Sequence, residues 1–190
     1  MILVLLVGLV YWGRRDRISE VVGYLHEPRS SHFAVELNDH RILFIGGARL
    51  KSAETYDPND KRWWSGMFHL PVGNRGPSSD LVPTVVVPLK SLNKIFVSDG
   101  QRLELYDVGK DTFESVSGKP SFDFRYFATA TALDDGRVLI IGGTNAQQNT
   151  EIFDPHTKAF LGSFELVQRR EVHTATRLKR GGVLVSYWWF

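Results

Sequence analysis

Apolar and polar residues along this chain fall into short blocks separated by turn-forming clusters. Phe33–Leu37 and Ile42–Ile45 are apolar runs divided by Asn38, Asp39 and His40, residue types that turn the chain through local side-chain hydrogen bonds. A third run, Ala53–Tyr56, ends at Asp57-Pro58, where proline has no N–H to give to a strand ladder. Trp63 begins a fourth. The run Val138-Leu139-Ile140-Ile141 is apolar at every position, as expected of a strand buried between neighbours. The pattern predicts many short strands and tight turns rather than long helices.

The blocks repeat. Arg29, His32, a strand ending in Gly46-Gly47, then Glu54-Thr55-Tyr56-Asp57-Pro58 and Trp63 are answered by a second series. There the order is Arg125, a strand ending in Gly142-Gly143, then Glu151-Ile152-Phe153-Asp154-Pro155 and Phe160. Gly46 and Gly142 are 96 residues apart, which reads as two periods averaging about 48 residues. A worn copy lies between them: Thr84–Leu89, Lys94–Ser98 followed by Asp99-Gly100, Leu103–Asp107, then Thr112-Phe113. A fourth opens with Arg170, His173 and Ala175 and continues through Gly182–Val185. Asp134-Asp135-Gly136 marks the first hairpin of the third copy, a strong turn signal. Four strands per period of this length is the arithmetic of a propeller blade.

These residues resemble Kelch repeats. The likeness rests on the Arg opening, the glycine pair, the Glu-x-Tyr-Asp-Pro strand end and the subsequent Trp. It covers Arg17 to Val185, with departures in the second copy, where Asp99-Gly100 stands for the glycine pair and Val108 for the proline. The resemblance implies an all-β fold of four-stranded antiparallel Kelch blades, three complete and partial ones at both ends, open or closed as four. In it, Gly46, Gly47, Gly142 and Gly143 leave the core at unusual backbone angles, and Tyr56, Asp57, Trp63, Phe153 and Asp154 are structural. Kelch propellers host protein-binding scaffolds, adhesion modules and sugar-acting enzymes alike, so the fold does not choose among them. The copper-oxidase branch depends on a cysteine crosslinked to tyrosine, and this chain has 0 cysteines.

The ends are read separately, as residues 1–16 and 17–190. Met1–Trp12 carries no charge and precedes Arg14, Arg15 and Arg17. It is shorter than the roughly 20 apolar residues of a membrane span, and two readings stay open: a buried strand, or a short anchor or signal remnant. Arginines after the run favour keeping the rest of the chain in the cytosol; an anchor or signal remnant would instead mean a membrane-attached or exported protein. Ile18–Leu25 reads as the outermost strand of a blade whose other strands lie elsewhere. At the far end the fourth glycine pair is due near Tyr187-Trp188-Trp189-Phe190. Those codons, read one nucleotide later, give Ile or Thr, then Gly-Gly, so a frameshifted tail of a longer propeller is expected; the DNA beyond Phe190 tests it.

Composition narrows function by subtraction. Lys+Arg is 23 against Asp+Glu 21, a net charge of +2, which lacks the concentrated excess of a nucleic-acid binder. No phosphate-loop, zinc-protease or nucleophile-elbow motif occurs. His32 and His173 share one repeat position, with Ala128 in the third copy, and Glu54, Glu104 and Glu151 share another. Recurrence at a structural position points to packing, and to an Arg–Glu network between blades, rather than to a metal or a carboxylate ring. The basic stretch Arg169, Arg170, Arg177, Lys179 and Arg180 reads as a solvated face. That leaves no catalytic residue, no cofactor and no metal to assign, and Trp64 as the candidate contact, since Trp63 takes the core position and its neighbour falls on the opposite face. The expected function is a non-enzymatic binding or scaffold module for a protein or glycan partner; the alternative is a fragment of an exported carbohydrate-active enzyme. Open blade edges predict self-association.

Overall fold

The computed structural model describes residues 6–9, 20–47, 50, 52–64, 85–99, 103–117, 127–144, 148–169 and 172–186. Arg125, Arg170, Gly100, Tyr187–Phe190 and most of Met1–Trp12 lie outside them.

The protein is all-β, built from four-stranded antiparallel sheets. The first joins β3 (Phe33–Glu36), β4 (Ile42–Ile45), β5 (Ala53–Asp57) and β6 (Arg62–Trp64) in that order. The second joins β7 (Val85–Leu89), β8 (Lys94–Ser98), β9 (Leu103–Asp107) and β10 (Thr112–Ser115). The third joins β11 (Thr129–Ala132), β12 (Val138–Ile141), β13 (Asn149–Asp154) and β14 (Ala159–Glu165). Two pairs flank them: β1 (Leu6–Leu9) with β2 (Glu20–Tyr24), and β15 (Thr174–Arg177) with β16 (Val183–Ser186). Every strand pairs with its neighbour in sequence, so each sheet is a meander. The run Val138–Ile141 is β12, and Ile18–Leu25 contains β2.

Sheets stack through their faces. The first core joins Leu43, Ile45 and Ala53 of the first sheet to Ile95, Val97 and Tyr106 of the second. The next joins Phe96 and Leu105 to Val138, Ile140 and Phe153 of the third. The middle strands are therefore covered on both sides: β8 and β9 are buried at nearly every position, while β6 is exposed or half-buried throughout. Covering a Leu or Phe side chain fully contributes about 1.5–3 kcal/mol, which explains why apolar runs mark middle strands and mixed runs mark outer ones. The first strands β3, β7, β11 and β15 are neighbours in that order. Pro88 fits in β7 because one side of a first strand is a free edge, where a missing N–H costs no ladder bond.

Register carries the repeat through all three sheets. Tyr56 pairs with Trp63, Tyr106 with Phe113 and Phe153 with Phe160 across the third and fourth strands, with ring centroids 4.8, 4.9 and 5.3 Å apart. The worn second copy thus keeps its place although its glycine pair and proline are gone.

Candidate functional site

The most concentrated polar chemistry lies where the segment after β2 meets the first sheet. Arg29 and Glu54 are 1% and 2% exposed. Glu54 Oε1 accepts from Arg29 Nη2 at 2.8 Å, Arg29 Nε at 3.0 Å and the Glu27 N–H at 3.2 Å, while Oε2 accepts from the His26 N–H at 2.7 Å. Arg29 Nη1 donates to the carbonyls of Gly46 and Ser52, each at 2.7 Å. Burial alone would raise the Glu54 carboxyl; the His26 N–H, the Arg29 guanidinium and the Glu27 N–H outweigh it and hold the group below its ordinary value. With its donors and acceptors turned inward, this pair is a tether that docks the chain between two sheets, not a reactive centre. Glu104 and Glu151 occupy the same register and are equally buried, at 1% and 0% exposed.

The other recurring residues are also turned to structure. Asp57, Asp107 and Asp154 close the hairpin between third and fourth strands. Their Oδ1 atoms accept from the N–H of Asn59 at 2.8 Å, Gly109 at 3.1 Å and His156 at 2.8 Å, the local bond that makes Asp a turn residue. Gly46 and Gly47 stand at φ 67° and 122°, and Gly142 and Gly143 at 59° and 100°. A Cβ on Gly47 would lie 3.2 Å from the Ser30 carbonyl and 3.3 Å from Arg29 Cβ, so this glycine also makes room for the arginine. His173 Nε2 bonds Thr129 Oγ1 at 2.9 Å, linking the entry to β15 with the first strand of the third sheet. His32 lies 5.8 Å from the Phe44 ring; its burial, and then the Arg29 charge, push its pKa below the ordinary histidine value.

Two adjacent tryptophans part company. Trp63 stacks on Tyr56 and Phe44, 4.8 and 5.3 Å away, and its indole edge closes on Gly23 of β2. Trp64 sits on the other face of β6, 43% exposed, and its carbonyl accepts from Thr55 Oγ1 at 3.5 Å. Of the basic stretch, Arg177 is paired with Asp134; Lys179 and Arg180 are exposed in the turn between β15 and β16. A shallow, open cleft lies between the turns of the first two sheets, lined by Asn38, Lys90, Asn93 and Lys94.

Two features escape the sequence reading. A leucine stands at the end of the first strand of every copy or directly after it (Leu89; Leu37, Leu133, Leu178), spaced regularly enough to be found from the repeat. The clasp of Asp39 on Arg41 and of Asp135 on Arg137, with Nε to carboxylate distances of 2.9 and 2.7 Å, has its signal in an Asp-x-Arg pair in both hairpins.

No family model matches the chain, and no curated protein does. Among solved structures it is similar to a fungal alcohol oxidase of the AA5 family, determined in complex with copper. The two are 18% identical with a TM-score of 0.52, over 89% of this chain and 50% of the oxidase. At that identity the likeness shows the fold, an all-β, galactose-oxidase-like arrangement, and this chain spans about half the length of the oxidase. Among the described residues no three His, Cys, Asp or Glu side chains gather to hold a metal ion.

Proposed function

We propose that the chain forms Kelch-type propeller blades that serve as a non-enzymatic binding scaffold for a protein or glycan partner. One observation carries this reading. Among the described residues Arg29, Glu54, His173 and the turn aspartates Asp57, Asp107 and Asp154 are engaged in tethers and turns, whereas Trp64 stands 43% exposed on an outer strand. A rigid, exposed indole on a stiff support is a common contact for sugar rings and for protein hot spots. A second reading, a part of an exported carbohydrate-active enzyme, is supported by the likeness to the AA5 oxidase.

A glycan array probed with the 190-residue chain and with Trp64→Ala tests both. Binding to a defined glycan, weakened at least tenfold in the variant with the unfolding midpoint unchanged, supports the scaffold. Chemical conversion of a bound glycan, seen as a new product by mass spectrometry, would replace it with the enzyme reading. Equal glycan binding by both proteins would remove Trp64 from the site.

A further inference from the structure

The two flanking strand pairs are complementary halves of one sheet. β15–β16 matches first and second strands: Thr176 pairs with Leu184 as Val35 pairs with Leu43 and Thr131 with Leu139. β1–β2 matches third and fourth strands, and its register repeats that of β13–β14 in detail. Both ladders are interrupted once, between Val7 and Gly8 and between Ile152 and Phe153, and in both a glycine opposes the residue just before the break, Gly23 facing Val7 and Gly162 facing Ile152. Gly23 also closes on Trp63, so β1–β2 stands ahead of the first sheet on the side away from the second.

Neither half is completed among the described residues. Among the described residues β16 pairs only with β15 and β1 only with β2, and β15 does not pack on β3 as it packs on β11. The unfinished side shows in exposure. Leu43 and Phe96 are 0% exposed at the register position where Leu184 is 57% exposed. Phe164 on the outer strand of the third sheet is 58% exposed and Tyr24 on β2 is 57% exposed. Free strand edges beside exposed apolar side chains are templates for pairing.

We propose that a second copy of this chain completes both halves, β16 of each copy pairing with β1 of the other. The described residues of two copies supply six whole sheets and two composite ones, eight in all, within the roughly four to eight of closed propellers. Two identical junctions related by a twofold axis close the ring and leave no edge free. Transferring the β12–β13 register to the junction pairs Val183 with Gly8, Leu184 with Val7 and Val185 with Leu6. This rests on strand register alone and stands apart from the identity of any partner.

The chain has 0 cysteines, so introduced ones report cleanly. Val7→Cys and Leu184→Cys are made as separate single variants, mixed under conditions of subunit exchange, oxidised, and run on a non-reducing gel beside light scattering of the wild type. The expected result is a wild-type mass twice that of the chain, and a disulfide-linked dimer in the mixture but in neither variant alone. A chain that closes on itself gives no bond in the mixture, while the Val7→Cys, Leu184→Cys double variant forms one within a single chain; that result overturns the proposal. A wild-type monomer, or a dimer whose mixture never crosslinks, overturns it too.

Discussion

The first and second sheets solve the same packing problem with different residues. The first has the glycine pair Gly46-Gly47, Pro58 and an indole at Trp63; the second has Asp99, Val108 and Phe113 in the corresponding places. Gly46 adopts a positive φ of 67°, whereas Asp99 is absent from the described residues at positive φ, so the backbone changed with the side chain. What the two share is narrower. A Tyr faces an aromatic ring across the outer hairpin, an Asp closes that hairpin, a Glu is buried at the same register and a leucine stands at the end of the first strand or directly after it. These are the features the two sheets hold in common; the glycines and the proline are one way of leaving the core among others.

Removing the tether that marks the first sheet tests this division most severely. Arg29→Ala leaves the Glu54 carboxylate buried without its cation, and a loss of about 3–5 kcal/mol is expected from the urea midpoint. A loss below about 1 kcal/mol would show that the segment after β2 is held by packing instead. The same pair sets an acid limit. Glu54 is held below its ordinary value when folded, so its contribution is whole above the unfolded carboxyl pKa, about 4.3, and fades as pH falls through the folded one. The stability gap between wild type and Glu54→Gln therefore closes on acidification below about pH 4; a gap constant to pH 3 would assign the shift elsewhere. Grafting the second sheet's residue into the first, Gly46→Asp, forces an L side chain into the left-handed region at a cost of about 1–2 kcal/mol. An unchanged melting temperature would mean that the first sheet can turn as the second does.

Strand order, sheet composition and the aromatic pairs are legible in the sequence because each is a periodic constraint: the residue type recurs wherever burial and register recur. Even the worn copy can be placed from Tyr106-Asp107 and Phe113, which keep their spacing where the glycines do not. Recurrence also marks the Glu and Arg positions as structural. Their geometry is not legible, since the sequence suggests a link between blades, while Arg29 and Glu54 join a sheet to the segment that enters it. Trp64 falls opposite Trp63 by strand alternation alone, and its face obeys that rule. What it touches depends on loops with no repeat to constrain them, and periodicity says nothing about those.

The turn aspartates carry the comparison into smaller effects. Asp57→Ala and Asp107→Ala each remove a carboxylate that accepts two backbone N–H groups. Each should cost about 1 kcal/mol, and the same in both sheets. Unequal losses in chemical denaturation would show that the hairpins differ in more than their prolines.

The smallest expected effect has the opposite sign. His40 stands at φ 67° in the first-sheet turn, where the third sheet has Gly136 at φ 84° and the fourth copy Gly181 at φ 83°. All three turns share the bond from the residue's own N–H to the leucine directly after the first strand, at 3.1 Å in each, so the backbone is common and only the side chain differs. A histidine there bears the left-handed penalty of about 1–2 kcal/mol, offset by the larger entropy a glycine loses on folding, roughly 0.5–1 kcal/mol. Its imidazole recovers little through Glu36, 3.0 Å away, because both side chains are exposed and water screens the contact. His40→Gly should therefore raise the unfolding free energy by roughly 0.5–1 kcal/mol at pH 8. A loss of stability at pH 8 would mean that the imidazole holds the turn by contacts worth more than the strain it bears.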